Sequence, residues 1–365
     1  MDKALQDAGM SKGGNVAVLV GLGTELELYR HRERLSLIEQ MNSKVDANKL
    51  RDATDYINNA GTSTSYVSFI GNLVATRLSS TWGFTGPSFT ITEGENSVLR
   101  CIEVGRQMLS TGEVDAVVVA GVDLCGSAES FYVKSKQCKL SKSSSPFAPF
   151  EHRADGLFLG EGAGALVLKR LNDCSPSRNK QGEGRIYATI KGVGTGVNTT
   201  VSSQMALMEA GIADDAVEYV EVATPSLTPS KSGVEIADLS AVYKGKKSSV
   251  RQYAVGCVQA NVGYVGYATG VASVIKTALC LYNRYLPVTP RWEKPTTNTV
   301  WEKSALYVCP DSRAWMKNPG ERRVAGVNGV SAGGSHFHIV MSDLEGQNER
   351  ENVMSLPDDS VKLIT

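Results

Sequence analysis

Few residues in this 365-residue chain have the types and spacing that chemistry needs, and most of those are quickly set aside. Seven cysteines, Cys101, Cys125, Cys138, Cys174, Cys257, Cys280 and Cys309, are scattered and include no C-x-x-C pair, so a zinc site is not expected. Several sit in apolar stretches such as Val255-Gly256-Cys257-Val258, and read as buried small hydrophobes in a reducing compartment. His336 and His338, two apart on an expected strand, share one face. That spacing suits two metal ligands, but no third is placed by it. His31 lies in the charged run Tyr29-Arg30-His31-Arg32-Glu33-Arg34, a solvated helix face, and His152 stands beside Arg153 in a loop. Gly21-Leu22-Gly23 and Gly192-Val193-Gly194-Thr195-Gly196 lack the full G-x-G-x-x-G between strand and helix, and read as turns. Glu95 is different. It falls in Gly86-Pro87-Ser88-Phe89-Thr90-Ile91-Thr92-Glu93-Gly94-Glu95-Asn96-Ser97-Val98-Leu99, between a short strand and a helix whose N-terminal N–H groups favour negative charge.

The elements that must position Glu95 alternate between strand and helix, which predicts an α/β protein. Residues 15–21, 88–91, 114–121, 162–168 and 186–190 read as strands, with a helix over 97–109. A polar loop over 172–184 divides the chain, and the pattern then restarts. Helices are expected over 204–211, 234–243 and 266–281, and strands over 217–223, 253–258, 305–309 and 336–341. The last of these helices carries Gly266, Ala268, Gly270, Ala272 and Ser273, a composition for close packing in a buried layer. The expected organisation is a first half over 1–171, a second over 185–343 and a polar tail or linker over 344–365. Lys+Arg and Asp+Glu are both 38, a net charge of 0, so no nucleic-acid or membrane surface is expected as partner. Residues 1–12 show no signal peptide, and no window reaches the roughly 18 apolar residues of a spanning helix. A cytoplasmic protein is the simplest expectation.

The run around Glu95 resembles the β-ketoacyl synthase segment G-P-S-x-T-V-D-T-A-C-S-S-S-L. Ile70-Gly71-Asn72 and Arg77-Leu78-Ser79 resemble the residues ahead of it. Pro149-Phe150-Glu151, Ala154-Asp155-Gly156 and Leu159-Gly160-Glu161-Gly162-Ala163-Gly164 resemble the family's P-F-D, A-D-G and G-E-G-A-G motifs. Gly326-Val327-Asn328 and Gly333-Gly334-Ser335-His336-Phe337-His338 are similar to its F-G-F-G-G-T-N-A-H end. Gly13-Gly14-Asn15-Val16, Val119-Ala120-Gly121-Val122-Asp123 and Thr92-Glu93-Gly94-Glu95 resemble in particular the chain-length-factor domain of polyunsaturated fatty acid synthases. The resemblance implies the thiolase fold, two similar halves layered α-β-α-β-α.

It also implies a lost active site. Aligned without a gap, the family's nucleophilic cysteine falls on Glu95. The histidine of V-E-A-H-G-T-G-T falls on Ala223, and the lysine and second histidine of V-K-A-N-I-G-H fall on Gln259 and Tyr264. No catalytic residue of the family set is therefore intact. A carboxylate would give only a labile mixed anhydride where the thiolate holds an acyl thioester. Losing one donor to a developing enolate typically lowers a rate about 100- to 1,000-fold. The gating phenylalanines of F-G-F-G-G fall on Val330 and Ala332. His338 matches a position that is structural in the family.

The resemblance thus implies a non-condensing subunit or domain that pairs with an active ketosynthase, possesses no directly bound cofactor or metal, and meets acyl groups on the phosphopantetheine of an acyl carrier protein. Residual decarboxylation or hydrolysis of thioesters by Glu95 with Tyr264 is the alternative; a decayed product without a partner is a third. The family has a segment with its first core strand ahead of the run Ala4-Leu5-Gln6-Asp7-Ala8-Gly9. A fragment of a longer synthase or a truncated gene is the expectation, with an unpaired sheet position and exposed apolar surface in a lone chain.

Overall fold

Val16–Gly21 is an unbroken apolar run and is buried along its whole length, the signature of a parallel strand covered on both faces. It is β1 of a computed structural model that describes residues 1–23, 46, 48–49, 52, 70–124, 128–174, 185–223, 229–245, 251–296, 298–318 and 320–344. His31 and Cys125 lie outside the described residues, as does the tail beyond 344. The first half comprises α1 (Asp2–Asp7), β1, α2 (Leu73–Trp82), β2 (Ser88–Ile91), α3 (Ser97–Ser110), β3 (Ala116–Asp123), α4 (Ala128–Gln137) and β4 (Gly162–Lys169). The second begins with β5 (Thr189–Gly196), α5 (Thr199–Ala210), β6 (Tyr219–Val222), α6 (Pro229–Val242), β7 (Tyr253–Gly256), α7 (Gln259–Val262) and α8 (Thr269–Asn283). It ends with β8 (Tyr285–Leu286), α9 (Asn298–Glu302), β9 (Leu306–Val308), β10 (Arg313–Ala314), β11 (Val324–Val330) and β12 (His336–Ser342).

The strands form two main sheets, ordered β2-β1-β3-β4 and β5-β12-β11-β6-β7-β9. β1 runs parallel to β2 and β3, and β3 runs antiparallel to β4. The second sheet repeats this, with β11 parallel to β6 and antiparallel to β12. Strand period sorts the side chains into three cores. Ala17 and Leu19 of β1 face a central core with Val98, Leu99, Val271, Val327 and Phe337, while Val16, Val18 and Val20 face outward onto Leu5 and Ala75. On the far side Val220, Val340, Leu207, Ile236 and Leu239 form the third. The layers are therefore α1 and α2, the first sheet, α3 with α8, the second sheet, and α5 with α6. This is the α-β-α-β-α arrangement expected of the thiolase fold. The small residues of α8 serve the middle layer, where a Cβ on Gly270 would meet Val98 Cβ at 3.1 Å.

Two sequence expectations need correction. The strand expected over 186–190 runs instead over Thr189–Gly196, and it absorbs the glycines that read as a turn. Gly192, Gly194 and Gly196 alternate onto the face that carries α5. A Cβ on Gly194 would lie 2.0 Å from the Ser202 carbonyl oxygen. Glycine here permits a helix backbone to lie directly on a strand. Residues 324–330, which read in sequence only as part of a motif, form β11, a seven-residue buried strand.

Among the described residues, β12 has β5 on its outer side, whereas β4, which holds the same place in the first sheet, is an edge strand. A groove of about 1340 Å³ borders that edge and is lined in part by Ala163, Ala165, Val167, Ile186 and Leu279. No helix among the described residues is long and apolar enough to cross a membrane.

Candidate functional site

Glu95 stands in a tight turn between β2 and α3. Gly94 makes the turn with φ +58°, a conformation that favours glycine. Ser97 Oγ donates to the Gly94 carbonyl at 2.6 Å and accepts from the Glu93 N–H at 2.8 Å. The next residue binds the second half: Asn96 Nδ2 donates to the Ser335 carbonyl at 2.8 Å and to the Gly329 carbonyl at 3.4 Å. Glu95 itself is 7% exposed. Its Oε1 accepts from the Tyr264 hydroxyl at 2.6 Å, and its Oε2 accepts from the Ala332 N–H at 2.9 Å. Both oxygens of this buried side chain are thus satisfied from the second half.

Tyr264 is fixed through its backbone. Its N–H donates to the Phe158 carbonyl at 2.7 Å, and its own carbonyl accepts from Gly160 at 2.8 Å. The glycine-rich run over 159–164 permits this clamp, since a Cβ on Gly160 would lie 2.2 Å from the Val262 carbonyl oxygen. Lys134 Nζ lies 3.5 Å from the Tyr264 hydroxyl and 5.1 Å from its ring centroid. Burial, and then the Glu95 charge, hold the Tyr264 phenol far above its ordinary pKa, so it serves as a donor rather than a base. Cys138, whose Sγ bonds to the Lys134 carbonyl, is pushed up by burial and kept as a thiol. Burial likewise pushes Cys101, Cys257 and Cys280 up to about 12, which leaves them un-ionised at neutral pH.

Gln259 opens α7 and is 3% exposed. Among the described residues its Nε2 has no hydrogen-bond partner. It shares a cavity of about 30 Å³ with Tyr264, Phe158 and Lys139. Ala223 is buried just past β6, and its N–H donates to the Asn328 carbonyl at 2.8 Å. The structure thus brings Glu95 and Tyr264 into contact, sets Gln259 beside Tyr264, and ties Ala223 to β11, whose Gly329 carbonyl accepts from Asn96.

Sequence reasoning missed Glu221. It is fully buried on β6, where Oε1 accepts from the Val258 N–H at 2.6 Å and Oε2 accepts from Tyr219 at 2.5 Å and Lys276 Nζ at 2.8 Å. Burial alone would pull the Lys276 ammonium down, but the Glu221 carboxylate outweighs it and raises the pKa. The available signal is one charge in an otherwise apolar strand, and another in the apolar helix α8.

The described histidines are structural or peripheral. His338 is fully buried, with Nε2 2.8 Å from Tyr243 Oη and Nδ1 3.1 Å from Ser203 Oγ. Burial lowers its pKa to about 3. His336 Nδ1 lies 3.0 Å from Thr199 Oγ1, so both residues face α5, as their spacing predicts. His152 sits near Glu151 and Glu293, a grouping with metal-ligand spacing that the sequence did not suggest. Arg153 already pairs with both carboxylates there, at 3.0 and 3.4 Å.

Residues 1–174 match the β-ketoacyl synthase N-terminal domain, and residues 188–293 match the β-ketoacyl synthase C-terminal domain. The whole chain is 50% identical over 375 residues to a polyunsaturated fatty acid synthase subunit from Thraustochytrium sp., of which it spans 18%. It is 30% identical over 298 residues to the polyketide synthase PksL of Bacillus subtilis, with 77% of this chain and 6% of that protein covered. Among solved structures, the ketosynthase from module 6 of the bacillaene synthase of Bacillus subtilis superposes with a TM-score of 0.74 at 25% identity, covering 94% of this chain and 57% of that one. The PfaC ketosynthase–chain length factor gives 0.69 at 28% identity, covering 94% and 33%. Two domain matches in order, a relative at half identity and a shared layered fold converge on one conclusion: the chain belongs to the β-ketoacyl synthase family, as a ketosynthase domain of the polyunsaturated fatty acid and polyketide synthase kind.

Proposed function

We propose that this domain is a non-condensing, chain-length-factor-like partner of an active ketosynthase. It completes the acyl tunnel of the pair and helps to set product length, with acyl groups arriving on the phosphopantetheine of an acyl carrier protein. The observation that carries this reading is Glu95 at the family's nucleophile position, with both oxygens engaged at 2.6 and 2.9 Å. A carboxylate so placed cannot form a stable thioester. Ala223 offers no polar side-chain atom to an enolate, Gln259 contributes no cation, and Tyr264 spends its proton on Glu95. The scaffold stays intact around these positions, as a binding partner requires. Support for a pair also comes from β2, which among the described residues is an edge strand of the first sheet with main-chain groups to offer another chain. Thioester decarboxylation or hydrolysis by Glu95 is disfavoured, because the carboxylate is buried and each of its oxygens is already engaged, by Tyr264 and by Ala332.

Co-expression with the ketosynthase from the same synthase should yield a stable heterodimer. Condensation of acyl- and malonyl-carrier protein should appear only in the mixture, with product length altered by substitutions in this chain. Condensation by this chain alone would overturn the reading.

A further inference from the structure

Glu95 does more than fill a lost position, because the two groups that bind it are fixed without its help. The Tyr264 backbone is held by Phe158 and Gly160. Ala332 belongs to a turn closed by its neighbours: the Ser331 N–H donates to the Ser335 carbonyl at 3.0 Å, the Gly334 N–H donates to the Ser331 carbonyl at 3.0 Å, and the two serine hydroxyls lie 2.8 Å apart. Hydroxyl and amide converge on one buried point from two separate segments of the second half. Lys134 adds positive potential 3.5 Å from the hydroxyl. A preorganised pair of donors beside a cation is a receptor for one carboxylate.

We propose that Glu95 is a tethered ligand of this receptor, and that by occupying it the side chain latches the first half onto the preformed 331–335 turn. This does not depend on the chain-length-factor reading. Neither donor is held in place by Glu95, so the receptor should survive removal of the side chain and accept a small free carboxylate instead.

Three variants of the intact protein test this. Glu95→Met keeps the volume and removes every acceptor. Glu95→Gln keeps an acceptor for the Ala332 N–H and can donate from its amide to the Tyr264 oxygen. Hydrogen exchange of the peptide containing Ala332 should be about tenfold or more faster in Glu95→Met, and close to the unaltered protein in Glu95→Gln. In Glu95→Ala, sodium acetate or formate should raise the Tm saturably, where sodium chloride at matched ionic strength does not, and the unaltered protein should show no such acetate effect. Unchanged Ala332 protection in Glu95→Met would sink the latch. Acetate no more effective than chloride on folded Glu95→Ala would sink the receptor. Should the alanine variant fail to fold, the methionine and glutamine pair decides alone.

Discussion

His338 and Glu95 are both buried polar side chains with all-protein partners. The His338 ring is neutral because burial lowers its pKa from 6.5 to about 3. Between those values the unfolded imidazole takes up a proton that the folded one refuses. This contribution is therefore complete above pH 6.5 and is lost as pH falls towards 3, with a slope of at most about 1.4 kcal/mol per pH unit. Urea unfolding at pH 7 and pH 5 should show a loss for the native chain that His338→Gln reduces by up to about 2 kcal/mol. Equal losses in both proteins would contradict the assignment. His338 is legible as a structural residue from its motif. The motifs bring Glu95 and Tyr264 to one expected site, but the hydrogen bonds of Glu95 to the Tyr264 hydroxyl and the Ala332 N–H are not legible, since no local pattern pairs such remote groups.

At the scale of elements, the seat of α5 on β5 depends on glycine. Gly194→Ala drives a methyl into the Ser202 carbonyl oxygen at 2.0 Å and the Ala206 nitrogen at 2.5 Å, both backbone atoms that cannot swing aside. It should cost about 3 kcal/mol or more, read as a lowered urea midpoint. Gly112 is the control: its φ is +74° but a Cβ would meet nothing within 4 Å, so Gly112→Ala should cost only about 1–2 kcal/mol of backbone strain. Equal effects would show that packing does not set the distance between β5 and α5. In the sequence these glycines read as turns because glycine is common in turns. Their alternation along one strand face gains meaning only from the helix that lies there. The strand over 253–256 is legible because it is a short apolar run, the strand over 88–91 because Phe89 and Ile91 alternate with Ser88 and Thr90, and the helix over 97–110 because its apolar residues recur at helical spacing.

The whole molecule is joined through its middle layer. Lys276 on α8 reaches Glu221 on β6 at 2.8 Å, and Glu221 also accepts from the Val258 N–H just after β7. One carboxylate thus ties the central helix to two strands of the second sheet. Lys276→Met leaves that carboxylate buried without its cation and should cost about 3–5 kcal/mol. Adding Glu221→Gln keeps an acceptor but removes the charge, so the double variant should be more stable than Lys276→Met alone. A double variant that is less stable would mean that Glu221 needs its charge for another partner. At this scale also lies the expectation of a heterodimer, whose formation on co-expression measures whether the scaffold was retained for a partner.

The layered α/β fold is written in the sequence, because apolar periodicity and linear motifs are properties of neighbours along the chain. Those motifs are also the ground for the expectation that Glu95, Ala223, Gln259 and Tyr264 stand where other chemistry would be. What those residues do instead depends on tertiary structure. A hydrogen bond between Tyr264 and Glu95, a latch onto Ala332 and the Lys276–Glu221 pair all join remote segments. Such pairings are set by how two sheets close over a shared pair of helices, which no single segment encodes.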